Sequence, residues 1–212
     1  SRGLGDVYKI QVICGAGAAA ISCAKMYVAL GVKKKNIIMF DSKGPINSKR
    51  EDLSVEKKLF ISKKVNIKSL DDALKNSDVF IGLSKADMLS TEMLKSMSEN
   101  PIVFAMANPE PEINYKLAKR TREDIILATG RSDHPNQVNN VLGFPFIFRG
   151  ALDVRASKIN EKMKMAAVYA LAELAKEPVP ENVNVVYGET KLTFGRDYII
   201  PVSYTHLRAH ET

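Results

Sequence analysis

The fold is determined by one stretch near the start of the chain, Lys9-Ile10-Gln11-Val12-Ile13-Cys14-Gly15-Ala16-Gly17-Ala18-Ala19-Ala20. Its first half is a short apolar run that is typical of a buried strand. Its second half is a glycine turn that opens a helix, which we predict over residues 18–30. Gly31 then ends this helix, as glycine commonly does at a C-cap. A strand, a glycine turn and a helix in this order are typical of a sheet that binds a nucleotide.

Strands and helices alternate along the rest of the chain. This alternation predicts an α/β fold, namely a doubly wound (Rossmann-like) parallel sheet with helices on both faces. Residues 42–45 are predicted to be a loop. Further strands are predicted at 36–41, 78–82, 101–106 and 124–128, and helices at 51–62, 69–74, 90–97, 113–119, 143–153 and 159–175.

The chain is predicted to form one main domain. We expect residues 1–176 to be a dinucleotide-binding domain and residues 177–201 to be its C-terminal extension. Residues 202–212 have neither helical nor strand periodicity and contain two of the three histidines. We expect this tail to be foreign or poorly ordered, and the chain to be a fragment of a longer protein.

Composition excludes several classes of protein. The net charge is +7, but 22 of the 31 basic residues are lysine and there is no tryptophan, whereas nucleic-acid grooves interleave arginine and aromatic side chains. No apolar run approaches the roughly 18 residues of a membrane helix. Cys14 and Cys23 are too few for a disulfide framework. We therefore expect a cytoplasmic protein that binds neither nucleic acid nor membrane.

The glycine turn matches the dinucleotide fingerprint, with Gly15-x-Gly17-x-x-Ala20 differing only at a third position where alanine is permitted. Gly15 allows the tight turn, and Gly17 lets the backbone approach a pyrophosphate that sits on the helix N-terminus. The predicted cofactor-binding residues of this turn are Gly15, Ala16, Gly17, Ala18 and Ala19.

Asp41 ends the second predicted strand, 24 residues after Gly17. An acidic residue at about this distance holds the ribose hydroxyls of NAD. Its carboxylate would repel a 2′-phosphate, which favours NAD, whereas Ser42 and Lys43 could accommodate that phosphate. The choice between NAD and NADP is therefore open at this point, and so is the alternative that Asp41 only caps a loop.

Polar side chains follow three further strands. Ser84 follows the third strand in Gly82-Leu83-Ser84, Asn108 ends the fourth, and Asn139 lies in the loop after the fifth. Cofactors lie across the carboxyl ends of the strands in such sheets. An asparagine amide both donates and accepts hydrogen bonds, which suits a ribose or a hydroxy acid. The alternative is that both asparagines only form turns.

The loop after the fifth strand carries a resemblance to a known family. It reads Ala128-Thr129-Gly130-Arg131-Ser132-Asp133-His134-Pro135-Asn136-Gln137-Val138-Asn139-Asn140-Val141-Leu142-Gly143-Phe144-Pro145. Together with Gly15–Ala20 and with Phe148-Arg149-Gly150-Ala151-Leu152-Asp153, it resembles the nicotinamide-binding domain of bacterial-type malic enzymes. The resemblance extends from about Lys9 to Pro201.

The resemblance implies an NAD- or NADP-dependent oxidoreductase that converts malate to pyruvate and CO2. It implies that Asn108 and Asn139 contact the substrate and the nicotinamide end of the cofactor. In this family the catalytic residues and the ligands of Mg or Mn precede the nucleotide domain. We therefore assign no catalytic or metal-binding residue here and expect the chain alone to be inactive. The full-length enzyme is expected to be a homo-oligomer.

Two other functions remain open at this stage. The first is another dinucleotide-dependent dehydrogenase domain, such as that of an amino-acid dehydrogenase, which would lack the Asn139-Asn140 loop. The second is a non-catalytic nucleotide-binding regulatory domain. A paired Glu-Asp metal motif in a preceding domain of the parent protein would exclude the second.

Overall fold

The computed structural model describes residues 9–131, 134, 136–179, 193–195 and 198–201. The chain divides into two compact units, the first ending at Leu127 and the second beginning at Ala128. The predicted tail at 202–212 and much of the predicted extension at 177–201 lie outside the described residues.

A six-stranded sheet organises the fold, in the order β3-β2-β1-β4-β5-β6. β1 pairs in parallel with both β2 and β4, and β4 pairs in parallel with β5. β1 therefore lies in the middle of the sheet, and the later strands extend the sheet in both directions, which confirms the doubly wound prediction. The strands are β1 (Gln11–Cys14), β2 (Ile37–Asp41), β3 (Gly44–Pro45), β4 (Val79–Gly82), β5 (Ile102–Ala105) and β6 (Ile126–Thr129).

The buried residues of the first unit form two clusters, because successive strand residues point to opposite faces. Val12 packs in one cluster with helical residues such as Leu74 and Leu94, whereas Ile13 packs in the other with Ile21. Both faces of the sheet are thus covered by helices, as predicted. The helices of this unit are α1 (Ala18–Ala29), α2 (Val55–Lys58), α3 (Leu70–Leu74), α4 (Thr91–Ser96) and α5 (Tyr115–Thr121).

Two local predictions around β2 were wrong. The predicted loop at 42–45 contains β3, which pairs antiparallel with β2 at the sheet edge, where proline is tolerated. The predicted helix at 51–62 is reduced to the four residues of α2. Leu53 and Phe60, on either side of α2, are buried in the core, and one long helix over 51–62 does not form there.

The second unit contains α6 (Phe144–Asp153) and α7 (Glu161–Leu174), close to their predicted bounds. Arg149 donates to Asp153 across one turn of α6 at 2.9 Å. α7 buries none of its residues. None of the described helices is long and apolar enough to span a membrane.

Candidate functional site

The two glycines of the turn have different surroundings. Gly15 has a φ of +124°, and a Cβ at this position would lie 2.6 Å from the carbonyl oxygen of Leu83. Its N–H donates to the carbonyl of Phe40 at 3.0 Å, which ties the turn to β2. Gly17 is exposed, and a Cβ there would meet no atom within 4 Å. Glycine is therefore required by the fold at position 15, whereas the space beside Gly17 is open.

No side chain caps the N-terminus of α1. Its N-cap is Gly17, which supplies no side-chain cap, and the first turn contains no acidic residue. The leading N–H groups of a helix carry partial positive charge and bind phosphate when no side chain occupies them. Every other α-helix described in the first unit has a side-chain N-cap, namely Ser54, Ser69, Ser90 and Asn114 for α2 to α5.

A cleft of about 390 Å³ lies beside this turn. Its walls come from the start of α1 and from the start of α2, so it adjoins the exposed Gly17. Lys25 adds a cationic side chain to this lining. The full lining is Ala16, Gly17, Ala18, Ile21, Ser22, Lys25, Ser54 and Glu56.

Asp41 lies where the sequence predicted it, at the end of β2, but its carboxylate is occupied. Arg50 donates to both oxygens at 3.0 and 3.1 Å, and Lys57 donates to one of them at 2.7 Å. The backbone N–H of Lys43 donates to the other at 2.9 Å. The carboxylate side chain is only 8% exposed. Burial alone would raise the pKa of Asp41, but these hydrogen bonds outweigh it and hold the pKa well below its usual range.

The ion pairs at the end of β2 extend to a second carboxylate. Lys43 and Arg50 also pair with Asp52, at 2.7 and 2.6 Å. Three cations thus surround two carboxylates. The sequence analysis found Lys43 but missed Arg50 and Lys57, because only the loop after β3 and the short α2 return them to Asp41.

The strand ends of β4 and β5 meet at a buried carboxylate that the sequence analysis also missed. Glu112 is 0% exposed, and it accepts from the N–H of Ser84 at 3.3 Å and from the N–H of Ala107 at 3.0 Å. Burial raises its pKa, and the backbone hydrogen bonds oppose this only in part. Ser84 also contacts Cys14 of β1, with 3.3 Å between its hydroxyl and the sulfur. Asn108 follows Ala107 directly and is exposed.

A substitution at Gly82 tests whether the carboxyl group of Glu112 packs against this glycine. A Cβ at Gly82 would overlap the Glu112 carboxyl group, so Gly82→Ala is expected to lower the free energy of unfolding by about 1–3 kcal/mol, as overpacking does. Gly150→Ala is the matched control, because Gly150 lies in α6 with open space around it. That control should stabilise by up to about 1 kcal/mol through helix propensity. Urea denaturation measures both, and equal stability of Gly82→Ala and the unaltered chain would contradict this packing.

Asn139 belongs to the second unit. Its side-chain oxygen accepts from the N–H of Val141 at 3.0 Å and caps a short 3-10 helix at Asn140–Leu142. Nearby, the buried Asn136 accepts from the N–H of Ile199 at 2.7 Å. The side-chain oxygen of Asn139 therefore has the turn-forming role that the sequence left open as the alternative to a ligand contact.

The part of the chain that the structure describes contains no group of three or more His, Cys, Asp or Glu side chains that could hold a metal ion. The described residues therefore do not fit a Mg or Mn site on their own. We derive no step through a metal from this chain.

Comparison with known proteins shows the family. Residues 7–191 match the family model described as malic enzyme, NAD binding domain. The NADP-dependent malic enzyme of Halomonas elongata is 56% identical over 192 residues, which is 90% of this chain and 45% of that protein. The NAD-dependent malic enzyme of Rhizobium meliloti is 45% identical over 197 residues, covering 92% of this chain and 26% of that protein.

Solved structures agree with this result. The crystal structure of Entamoeba histolytica malic enzyme superposes with a TM-score of 0.80 and 37% identity, covering 97% of this chain and 42% of that one. The chain thus spans less than half the length of each of these relatives. By the family model, which covers most of its length, the chain belongs to the malic enzyme NAD-binding domain family.

Proposed function

We propose that this chain is the nucleotide-binding part of an NADP-dependent malic enzyme, which oxidatively decarboxylates malate to pyruvate and CO2. The observation that carries this proposal is the uncapped N-terminus of α1 beside the open Gly17, in a domain whose family is that of malic enzymes. Bound NADP supplies the acceptor for the hydride of malate. In this reading Gly15, Ala16, Gly17, Ala18 and Ala19 hold the pyrophosphate.

The strand-end residues are proposed to serve the rest of the ligand. The group around Asp41 lies at the adenosine ribose, and Ser84 lies along the cofactor. Asn108 and Asn139 are proposed to contact the nicotinamide end or malate. All four lie at or after strand ends, which is where ligands bind in open α/β sheets.

A chimera tests this proposal. Residues 7–191 of this chain replace the matching segment of the Halomonas elongata enzyme, which supplies the rest of the protein. We expect malate-dependent reduction of NADP in the presence of Mg²⁺. A folded chimera that binds NADPH but does not turn over malate would contradict this proposal and favour a nucleotide-binding regulatory domain. A chimera that is selective for an amino acid would point to the other dehydrogenase class.

We propose NADP rather than NAD as the preferred cofactor. The carboxylate of Asp41, which would repel a 2′-phosphate, is neutralised by Arg50 and Lys57. Lys43, Arg50 and Lys57 pair with two carboxylates, Asp41 and Asp52, and charge-assisted hydrogen bonds to phosphate are among the strong ones. The Halomonas elongata relative, named as NADP-dependent, is also the more similar of the two relatives compared above.

A matched pair of lysines on α2 tests the cofactor preference. Lys57→Gln removes a cation from Asp41, so the Kd for NADPH is expected to rise about tenfold while that for NADH changes less than about twofold, a difference near 1.4 kcal/mol. Lys58→Gln removes the same charge one residue away, where no ion pair with Asp41 is lost, and should change neither. Calorimetric titration gives both constants. Equal weakening of NADPH and NADH by Lys57→Gln would refute the phosphate role.

Two further predictions concern the whole protein. We propose a cytoplasmic location and assembly into a homo-oligomer. Light scattering after size exclusion of the full-length protein would test the assembly.

A further inference from the structure

We propose that Glu112 is a positioning residue for the nicotinamide half of the cofactor, because its carboxylate bridges the ends of β4 and β5 and sets the spacing of the loops that carry Ser84 and Asn108. This inference rests on the proposed function, since it assumes that a dinucleotide lies across these strand ends. It assigns a role to a side chain that the sequence motifs did not identify.

Glu112 links the chain segments that follow β4 and β5, beyond the point where the backbone hydrogen bonds between the two strands end. β4 and β5 are paired up to Gly82 and Ala105, and the N–H of Met106 still reaches the carbonyl of Gly82 at 3.2 Å. Each N–H that Glu112 accepts lies two residues beyond the last paired residue of its strand, at Ser84 and at Ala107. The two oxygens of one carboxylate therefore join two backbones that no longer hydrogen-bond to each other.

Burying the carboxylate of Glu112 costs folding free energy, which argues that its position between the two loops serves a purpose. Glu112 is completely buried, and within the described parts of the chain no cation forms an ion pair with it. Burying a charge without a counter-ion is unfavourable unless hydrogen bonds converge on it. The fold also keeps Gly82 without a side chain at the position where any Cβ would overlap this carboxyl group. Both features fix the carboxylate at one place.

The position of Glu112 separates it from the adenosine half of the site. Asp41, at the proposed adenosine ribose, ends β2, whereas Glu112 holds loops that follow β4 and β5, on the other side of β1. A dinucleotide that lies across the carboxyl ends of the sheet meets these two groups with its opposite halves. A change at Glu112 should therefore weaken contacts to the nicotinamide half and spare those to the adenosine half.

Calorimetry on the full chain with two ligands tests the inference. The unaltered chain is expected to bind NADPH about tenfold more tightly than 2′-phospho-ADP-ribose, which lacks the nicotinamide, and tenfold corresponds to about 1.4 kcal/mol. Glu112→Gln keeps the shape, but its amide NH2 group faces one of the two N–H donors. This variant should lose the advantage of NADPH and leave the affinity for 2′-phospho-ADP-ribose unchanged.

Glu110→Gln is the matched control, because Glu110 is exposed two residues away, and it should leave both affinities unchanged. Equal weakening of both ligands by Glu112→Gln, or no weakening of either, would overturn the inference. Absence of binding of both ligands to the unaltered chain would instead overturn the proposed function.

Amide hydrogen exchange of the unaltered chain tests the role of Glu112 if Glu112→Gln does not fold. In the unaltered chain, NADPH should slow the exchange of the Ser84 and Ala107 amides, and 2′-phospho-ADP-ribose should not. Exchange at these two amides that NADPH leaves unchanged would overturn the inference.

Discussion

Gly17→Val is expected to weaken binding of NADPH at least about 100-fold, or about 2.7 kcal/mol, without loss of folding. A Cβ at Gly17 meets nothing within 4 Å in the protein, and its backbone lies in the extended region, which valine readily adopts. The branched side chain would instead occupy the space through which a pyrophosphate approaches the N-terminus of α1.

Calorimetry and thermal melting of the same samples separate the two effects. Gly150→Val is the matched control, because it places the same side chain in open space on α6, and it should bind NADPH as the unaltered chain does. If Gly17→Val binds NADPH with unchanged affinity, the cofactor does not use this turn.

Asn108→Ala and Asn139→Ala are each expected to lower kcat/KM for malate by roughly 10–1,000-fold in the chimera, as loss of one polar contact in a site can. Each residue follows a strand of the sheet, and loss of its amide leaves a hydroxyl or carboxylate of the ligand without a partner. Little effect on folding is expected from Asn108→Ala, because Asn108 is exposed.

Asn139 requires a control for its structural role, since its oxygen caps a 3-10 helix. Asn160 caps α7 in the same way, with its oxygen accepting from the N–H of Met163 at 3.1 Å. Asn139→Ala and the control Asn160→Ala should therefore each lower the free energy of unfolding by about 0.5–2 kcal/mol. Only Asn139→Ala should also lower kcat/KM. Equal kinetics of the two variants would reduce Asn139 to a helix cap.

The elements with strong local signals were predicted well. The turn at Gly15 follows its strand and opens α1 as expected, and Ser69 with Asp72 forms the capping box that starts α3. Alternating apolar residues in β1 supply both core clusters. In each case the signal lies within a few residues, so backbone preference and burial act on the same short segment.

The predictions failed where distant residues compete with local preference. The charged stretch at 51–62 has helical character, but Leu53 and Phe60 are both drawn into the core on either side of the short α2. The contacts of Asp41 also depend on distant residues: Arg50 and Lys57, 9 and 16 residues further along, donate to its carboxylate, and no local pattern indicated this. The proposed role of Asp41 at a ribose stays a prediction.

The sequence by itself determined the doubly wound sheet, the glycine turn and the identity of the strand-end residues, because periodicity and turn chemistry are local properties of the chain. Only the tertiary structure decided that Asp41 is neutralised and that Glu112 joins Ser84 to Ala107. Glu112 lies 28 residues from Ser84 in the chain. Partners of a buried charge are chosen by whichever donors folding brings within hydrogen-bond distance, and no local pattern records that choice.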